Sequence, residues 1–418
     1  MKHTLRLIAF LLSLWTAAPA AAQQYELVLK GGHVIDPANN VDGVRDVAIQ
    51  DGRVAAVRVT IPASAAKKVI DVSGLYVTPG LVDIHAHCFV GIGEWGTDRG
   101  LSRVFPDHVG FRVGVTTMVD VGSAGWRNFE QFRRNIIDVS RTRVLAMLNI
   151  IGVGMPDYEV EQIAANLEPE QTAAMAKKHK DVVVGIKSAH WRAPNFLSVE
   201  KAAEAGKLAD IPVMVDFGYF LKERPYQTMI TDKLRPGDIS THFYRWPAPL
   251  LTAEGKVAEY LHLARKRGVK FDVGHGGGSF HFRLAEPMVK QGFWPDSIST
   301  DIHSGSINKD MIDMLNVMSK FLAMGMPLKE VIRASTTTPA TMVKRPQLGQ
   351  IGPGAEADIA ILRLDKGQYG FTDVKSGKIS GTRRLSCEMT LRAGRIAFDH
   401  NGRASVAWRE ANIEYPDK

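Results

Sequence analysis

Short apolar runs recur through the middle of the chain at spacings that suit strands separated by helices. Eight stand out: LVDIHAH (81–87), VTTMVDVG (115–122), VLAMLNIIG (144–152), VVVGIKSAH (182–190), VMVDFG (213–218), DISTHFY (238–244), KFDVGHG (270–276) and SISTDIH (297–303). Between most of them lie helical patterns such as EPEQTAAMAKKHK, SVEKAAEAGKLAD and GKVAEYLHLARKRG. Near-continuous Val, Ile and Leu is what strands buried on both faces require. Strand alternating with helix in this way predicts an α/β protein built on a parallel (β/α)8 TIM-like barrel. The ends have a different texture. YELVLKGGHVID, DVAIQDGRVAAV and KKVIDVSGLYV near the start, and ADIAILRL and EMTLRAGRIAF near the finish, are short β runs punctuated by Gly or Asp-Gly. They predict a small β-sandwich domain assembled from both ends, residues 23–78 and 347–418, around a barrel at 79–346.

Residues 1–22, MKHTLRLIAFLLSLWTAAPAAA, join a basic start, an apolar run and small residues suited to cleavage. This is the pattern of a signal peptide, and it predicts a periplasmic or secreted protein. No other stretch is long and apolar enough to span a bilayer, so no membrane association is expected after cleavage. The hydrophobic content of 45 % and charged content of 23 % exclude extended disorder and a polytopic membrane protein. The net charge of +8 is spread along the chain, which gives nucleic-acid binding little support and suits attraction of small anionic substrates. A small-molecule substrate is the expected partner, and a homo-oligomer stays open. Cys88 and Cys387 are the two cysteines, too few for a disulfide framework, and nothing in their positions says that they meet.

Polar residues gather at the C-terminal ends of the apolar runs: His85, His87, Lys187, Asp216, His242, His275 and Asp301. In a barrel those ends converge on one mouth, where active sites are built. His85 and His87 are two apart, so on a strand both imidazoles face one side and could clamp a divalent metal at roughly 2.0–2.1 Å for zinc. Taken alone, the pair could equally be two unrelated surface histidines; His242 and Asp301 at other strand ends favour the metal. Lys187 ends a buried strand, where its charge is costly to place. Either it snorkels into the mouth, or it loses its proton and captures CO₂ as a carbamate that bridges two metals. Strand alternation turns Cys88 away from the metal side, as a packing residue.

The segment Val69-Ile-Asp-Val-Ser-Gly-Leu-Tyr-Val-Thr-Pro-Gly-Leu-Val-Asp-Ile-His-Ala-His87 resembles the entry segment of the amidohydrolase superfamily. Gly349-Gln-Ile-Gly-Pro-Gly-Ala-Glu-Ala-Asp-Ile359 resembles its return into the small β-domain, and Ala334-Ser-Thr-Thr-Thr-Pro-Ala340 is similar to its last barrel helix. Phe271-Asp-Val-Gly-His-Gly-Gly-Gly-Ser-Phe280 narrows the likeness to the dihydroorotase-like amidohydrolase/deacetylase subgroup. The match covers about residues 26–400. It implies that His85, His87 and Asp301 hold a first metal, that carbamylated Lys187 bridges, and that His242 holds a second. Asp301 would also shuttle the proton. The chain departs from the pattern at the end of the fifth run, where Asp216 stands in place of the usual histidine. Asp216 could be a direct oxygen ligand, could weaken the second site, or could be a carboxylate hydrogen-bonded to a ligating histidine.

His275 precedes Gly276-Gly277-Gly278, which reads as a substrate-facing loop. His-Gly-Gly-Gly is also the oxyanion motif of serine esterases, but the chain has no G-x-S-x-G elbow to go with it. Nor is there a Walker A loop. Trp95, Arg99, His190, Trp191, Arg192 and Tyr244 follow barrel strands near the mouth; of these Arg192 and Tyr244, with His275, are the substrate-binding candidates, and Arg192 could fix a substrate carboxylate or simply be solvated. The expected activity is metal-dependent hydrolysis of an amide or ester bond in a small acidic substrate. One or two Zn²⁺ ions, or another divalent metal, would ionise water near neutral pH. Cyclic-amide opening, as by dihydroorotases and hydantoinases, is the rival within catalysis. A binding protein on a decayed barrel is the rival outside it.

Overall fold

The computed structural model describes residues 24–90 and 103–411. The expected signal segment, and the loop candidates Trp95 and Arg99, lie outside the described residues. From the start of the chain come β1 (Tyr25–Asp36), β2 (Val41–Gln50), β3 (Arg53–Arg58), β4 (Ala66–Asp71) and β5 (Tyr76–Pro79). The barrel strands are β6 (Leu81–Ala86), β7 (Val115–Val121), β8 (Arg143–Asn149), β9 (Val183–Ser188), β10 (Val213–Val215), β11 (Ile239–Ser240) and β12 (Lys270–Phe271). The chain then returns through β13 (Ile359–Thr372), β14 (Lys378–Arg392) and β15 (Arg395–Asp399).

Both chain ends meet in one mixed sheet of order β15-β14-β13-β5-β1-β2-β3, with β4 also pairing to β1. Antiparallel pairing of Ile359 with Pro79 through Leu362 with Tyr76 stitches the late strands to the early ones. Alternation along β1 explains why the sheet is buried on both faces. Leu27 and Leu29 join a cluster with Ile49, Ile359 and Met389, while Val28 packs with Ala48, Ala56 and Ile61 in a second cluster.

The barrel sheet is parallel and runs in sequence order from β6 to β12. Its long strands β6, β7 and β9 are buried throughout, as two-sided burial demands. The eighth run, 297–303, does not form a regular strand. It makes single parallel bridges, Asp272 to Ser297 and Ala86 to Ile302, which join the last strand to the first and close the ring. The late strands are short because the backbone leaves extended geometry at the mouth: φ is +55° at His242, +45° at Gly274 and +50° at Asp301. Gly80 carries the chain from the small sheet into the barrel. A Cβ there would stand 2.1 Å from Thr116 Oγ1, so only glycine lets the two layers approach this closely.

Candidate active site and metal centre

A cleft of about 190 Å³ opens at the mouth of the barrel, with His85, His87, Lys187, Asp216, His242 and Asp301 in its walls. These residues span more than 200 positions of sequence, and the parallel strands deliver all of them to one end. The tightest group is His85, His87 and Asp301, whose ligand atoms all lie within 4.8 Å of one another. Asp301 Oδ1 is 3.0 Å from His87 Nε2 and 3.5 Å from His85 Nε2. Lys187 Nζ is 3.4 Å from His85 Nε2. On the other side, His242 Nε2 lies 3.4 Å from Asp216 Oδ2 and 4.0 Å from Asp301 Oδ2.

Hydrogen bonds behind the rings fix which nitrogen faces the centre. The Thr241 hydroxyl gives its proton to Asp272 Oδ2 at 2.7 Å, so it accepts from His85 Nδ1 at 2.8 Å. His242 Nδ1 donates to the Gly274 carbonyl at 2.5 Å. Both histidines therefore carry their proton on Nδ1 and turn the Nε2 lone pair inward, the arrangement a metal ligand needs. Gly274 makes this possible, since a Cβ there would meet Thr241 Oγ1 at 2.4 Å and His85 Nδ1 at 2.9 Å. Gly276 does the same for Asp301, whose Oδ2 would lie 2.2 Å from a Cβ.

The electrostatics suit a cation. Burial, with Lys187 close by, pushes His85 down to about 4, and burial likewise lowers His87. Both are thus neutral donors at neutral pH. Burial lowers the Lys187 ammonium despite nearby Asp216 and Asp301, which favours the free amine. Burial alone would raise Asp301 and Asp216, but positive charge on the neighbouring histidines, which a bound cation would supply in their place, outweighs it and holds both carboxyls below the usual range. Three imidazoles, those of His85, His87 and His242, two carboxylates and the buried Lys187 make a donor set that fits one or two divalent ions.

The sequence of residues 312–398 matches the model of an amidohydrolase family. A deacetylase of Agrobacterium fabrum is 32 % identical over 356 residues, covering 80 % of this chain and 82 % of that protein. The chain belongs to the amidohydrolase superfamily. Among solved structures, an adenine deaminase is 27 % identical with a TM-score of 0.81, covering 90 % of this chain and all of that one. A dihydroorotase is 27 % identical with a TM-score of 0.73, covering 88 % and 98 % respectively. This amidohydrolase is thus a metal-dependent hydrolase on a TIM barrel.

The three residues expected to bind substrate are not in the walls of the cleft. His275 lies past the end of its strand, between Gly274 and Gly276 at φ +45° and +52°, and its side chain turns away from the cleft. Its ring is fully buried, stacks on Phe280 and faces Lys320 Nζ at 2.7 Å. Tyr244 is also fully buried, beyond the break at His242, among Phe243, Phe280 and Phe321. Arg192 sits at the surface, paired with Glu159 at 2.7 Å and lying over Tyr158 and Tyr219. Glycines 274 and 276 make room for ligands, where the sequence suggested a substrate loop at 276–278. Cys88 and Cys387 are both free and buried.

The amidohydrolase cleft also holds residues that sequence reasoning assigned no role. Arg103, Tyr158, Glu161, His190 and His303 line it. His303 had a readable signal, because Asp301-Ile-His303 repeats the i, i+2 spacing of His85 and His87. Arg103 lies on a loop and Glu161 in the single 3-10 turn Val160–Gln162, where no periodicity marks them. Burial lowers Arg103, and its Nε donates to the Phe89 carbonyl at 2.9 Å.

Proposed function

We propose that this amidohydrolase removes an acyl group, as an N-acyl amide or an ester, from a small acidic molecule. The observation that carries the reading is the convergence of His85, His87 and Asp301 within one ligand sphere, beside buried Lys187 and His242, at the floor of a small cleft. The deacetylase relative supports the acyl bond as target. Arg103 in the cleft wall supports an anionic substrate.

His85, His87 and Asp301 would hold the first metal, and His242 with Asp216 the second. Lys187, as a carbamate formed when its free amine adds CO₂ and releases a proton, would lie between them. Zinc or a comparable divalent ion supplies Lewis acidity and ionises water near neutral pH. Asp301 takes the proton of the attacking water on its carboxylate and delivers it to the leaving nitrogen or oxygen. Thr241 and the Gly274 carbonyl hold the imidazoles in register throughout. Removal of residues 1–22 would release the mature enzyme to the periplasm, which N-terminal sequencing of the processed protein checks.

The test is hydrolysis across a panel of N-acyl amino acids, acyloxy acids and cyclic ureides, with and without a chelator. Turnover confined to the linear acyl compounds and abolished by chelation is expected. Turnover of cyclic ureides alone would favour the ring-opening reaction, and full activity after complete metal removal would refute both.

A further inference from the structure

Asp216 leaves the second metal position short of an imidazole, and the structure places one beside it from another strand. His190 follows β9 by two residues, and its Nε2 lies 3.1 Å from Asp216 Oδ2, the oxygen that is also 3.4 Å from His242 Nε2. Two donors on one tetrahedral zinc, each at roughly 2.0–2.1 Å, stand about 3.3 Å apart. Both spacings match that figure. The back of the ring is built as for a ligand. His190 Nδ1 lies 2.9 Å from Oε2 of Glu161, a carboxylate that is itself buried. An ionised carboxylate can only accept, so Nδ1 donates to Glu161 and Nε2 to Asp216, and a metal ion would take the place of the Nε2 proton between His190 and Asp216 while Glu161 still holds Nδ1.

The backbone is committed to this placement. His190 has φ +52°, the same left-handed geometry as His242 at +55° and Asp301 at +50°. A non-glycine residue pays strain there, and such strain collects at functional sites. The Gln162 amide donates to the His190 carbonyl at 2.9 Å and pins the turn. Gly218 packs against it, where a Cβ would come within 3.2 Å of His190 Cα. Thus the strand end that lacks a histidine, Asp216-Phe-Gly218, is also the one that makes room for His190.

We propose that His190, oriented by Glu161, is a ligand of the second metal ion and stands in for the histidine missing from β10. The inference rests on the metal-hydrolase reading and specifies its second site as His190, Asp216 and His242. It is tested by cobalt(II) titration of the metal-stripped full chain, read by visible absorption and by bound metal after desalting. The wild type should take up two equivalents. His190→Asn should keep the first and lose the second, or bind it at least 100-fold more weakly. Glu161→Gln should weaken the second by about 10–100-fold, as loss of an orienting carboxylate does. A thermal melt of each metal-free variant shows that it folds. A single equivalent in the folded wild type, or two equivalents with unchanged affinity in folded His190→Asn, would overturn the proposal. Metal count and turnover separate the two readings. A one-metal enzyme that hydrolyses acyl substrates refutes only the second site, whereas a two-metal protein without turnover refutes only the activity.

Discussion

One carboxylate oxygen of Asp301 stands 3.0 Å from His87 and 3.5 Å from His85, while the other faces His242 at 4.0 Å. Asp301 thus faces both sides of the site. Asp301→Asn keeps the shape but removes the proton acceptor, so kcat should fall by roughly 10²–10⁴-fold, which steady-state kinetics with metal-replete enzyme checks. Lys187 is only 2 % exposed, and burial favours its free amine. With ¹³C-labelled CO₂ the wild type should show a carbamate resonance that Lys187→Arg lacks; its absence from active wild-type enzyme would exclude the carbamate. At this scale the sequence was most legible where chemistry coincided with a strand period. His85 and His87 could be paired from their spacing, and Lys187, His242 and Asp301 from their positions at strand ends. Glu161 escaped because a single 3-10 turn has no periodicity to mark it, His190 was placed near the mouth without a role, and His275 was misplaced because left-handed backbone at the glycines on either side turns it away from the cleft.

Among the elements, the turn after β12 does the most to shape the site. Gly274 at φ +45° brings the backbone against Thr241, His85 and His242. Gly274→Ala would force the tautomer-setting bonds apart, and metal affinity should drop by about 10–100-fold, measurable by competition with a chromogenic chelator. Behind the same turn, the helix Met314–Ala323 buries Lys320 completely against His275. Burial pushes this ammonium down to about 7, far below its ordinary value of 10.5. Between those values the unfolded chain holds a proton that the folded one does not, so stability should rise with pH from about 7 to 10.5. In Lys320→Met that contribution should vanish, and the melting temperature of the variant should gain less than the wild type across the window. The strands were readable as apolar runs, but their lengths were not. At His242, Gly274 and Asp301 the chain turns into left-handed backbone that no hydrophobic pattern records, and regular pairing stops before it.

For the whole molecule, the question is how a sheet made from both chain ends is locked to the barrel. Arg143 of β8 pairs with Asp358 at 2.6 Å and Glu356 at 2.5 Å, and Arg392 at the end of β14 reaches the same two carboxylates. Asp358 is almost wholly buried, so Arg143→Met should cost roughly 3 kcal/mol, at the low end for a broken buried pair because Arg392 remains. Denaturant unfolding checks the figure. The division into two β-rich ends and a repeating middle was legible from texture alone. The closure of the ring was not, because the eighth run joins through two single bridges and no regular strand. What this architecture achieves is the delivery of side chains from the ends of five apolar runs to one small cleft. The most direct test of that claim is anomalous diffraction at the barrel mouth in crystals grown with zinc. A peak within about 2.0–2.1 Å of His85 Nε2 and His87 Nε2 is expected. A cleft without a peak, its two imidazoles turned apart, would contradict the account.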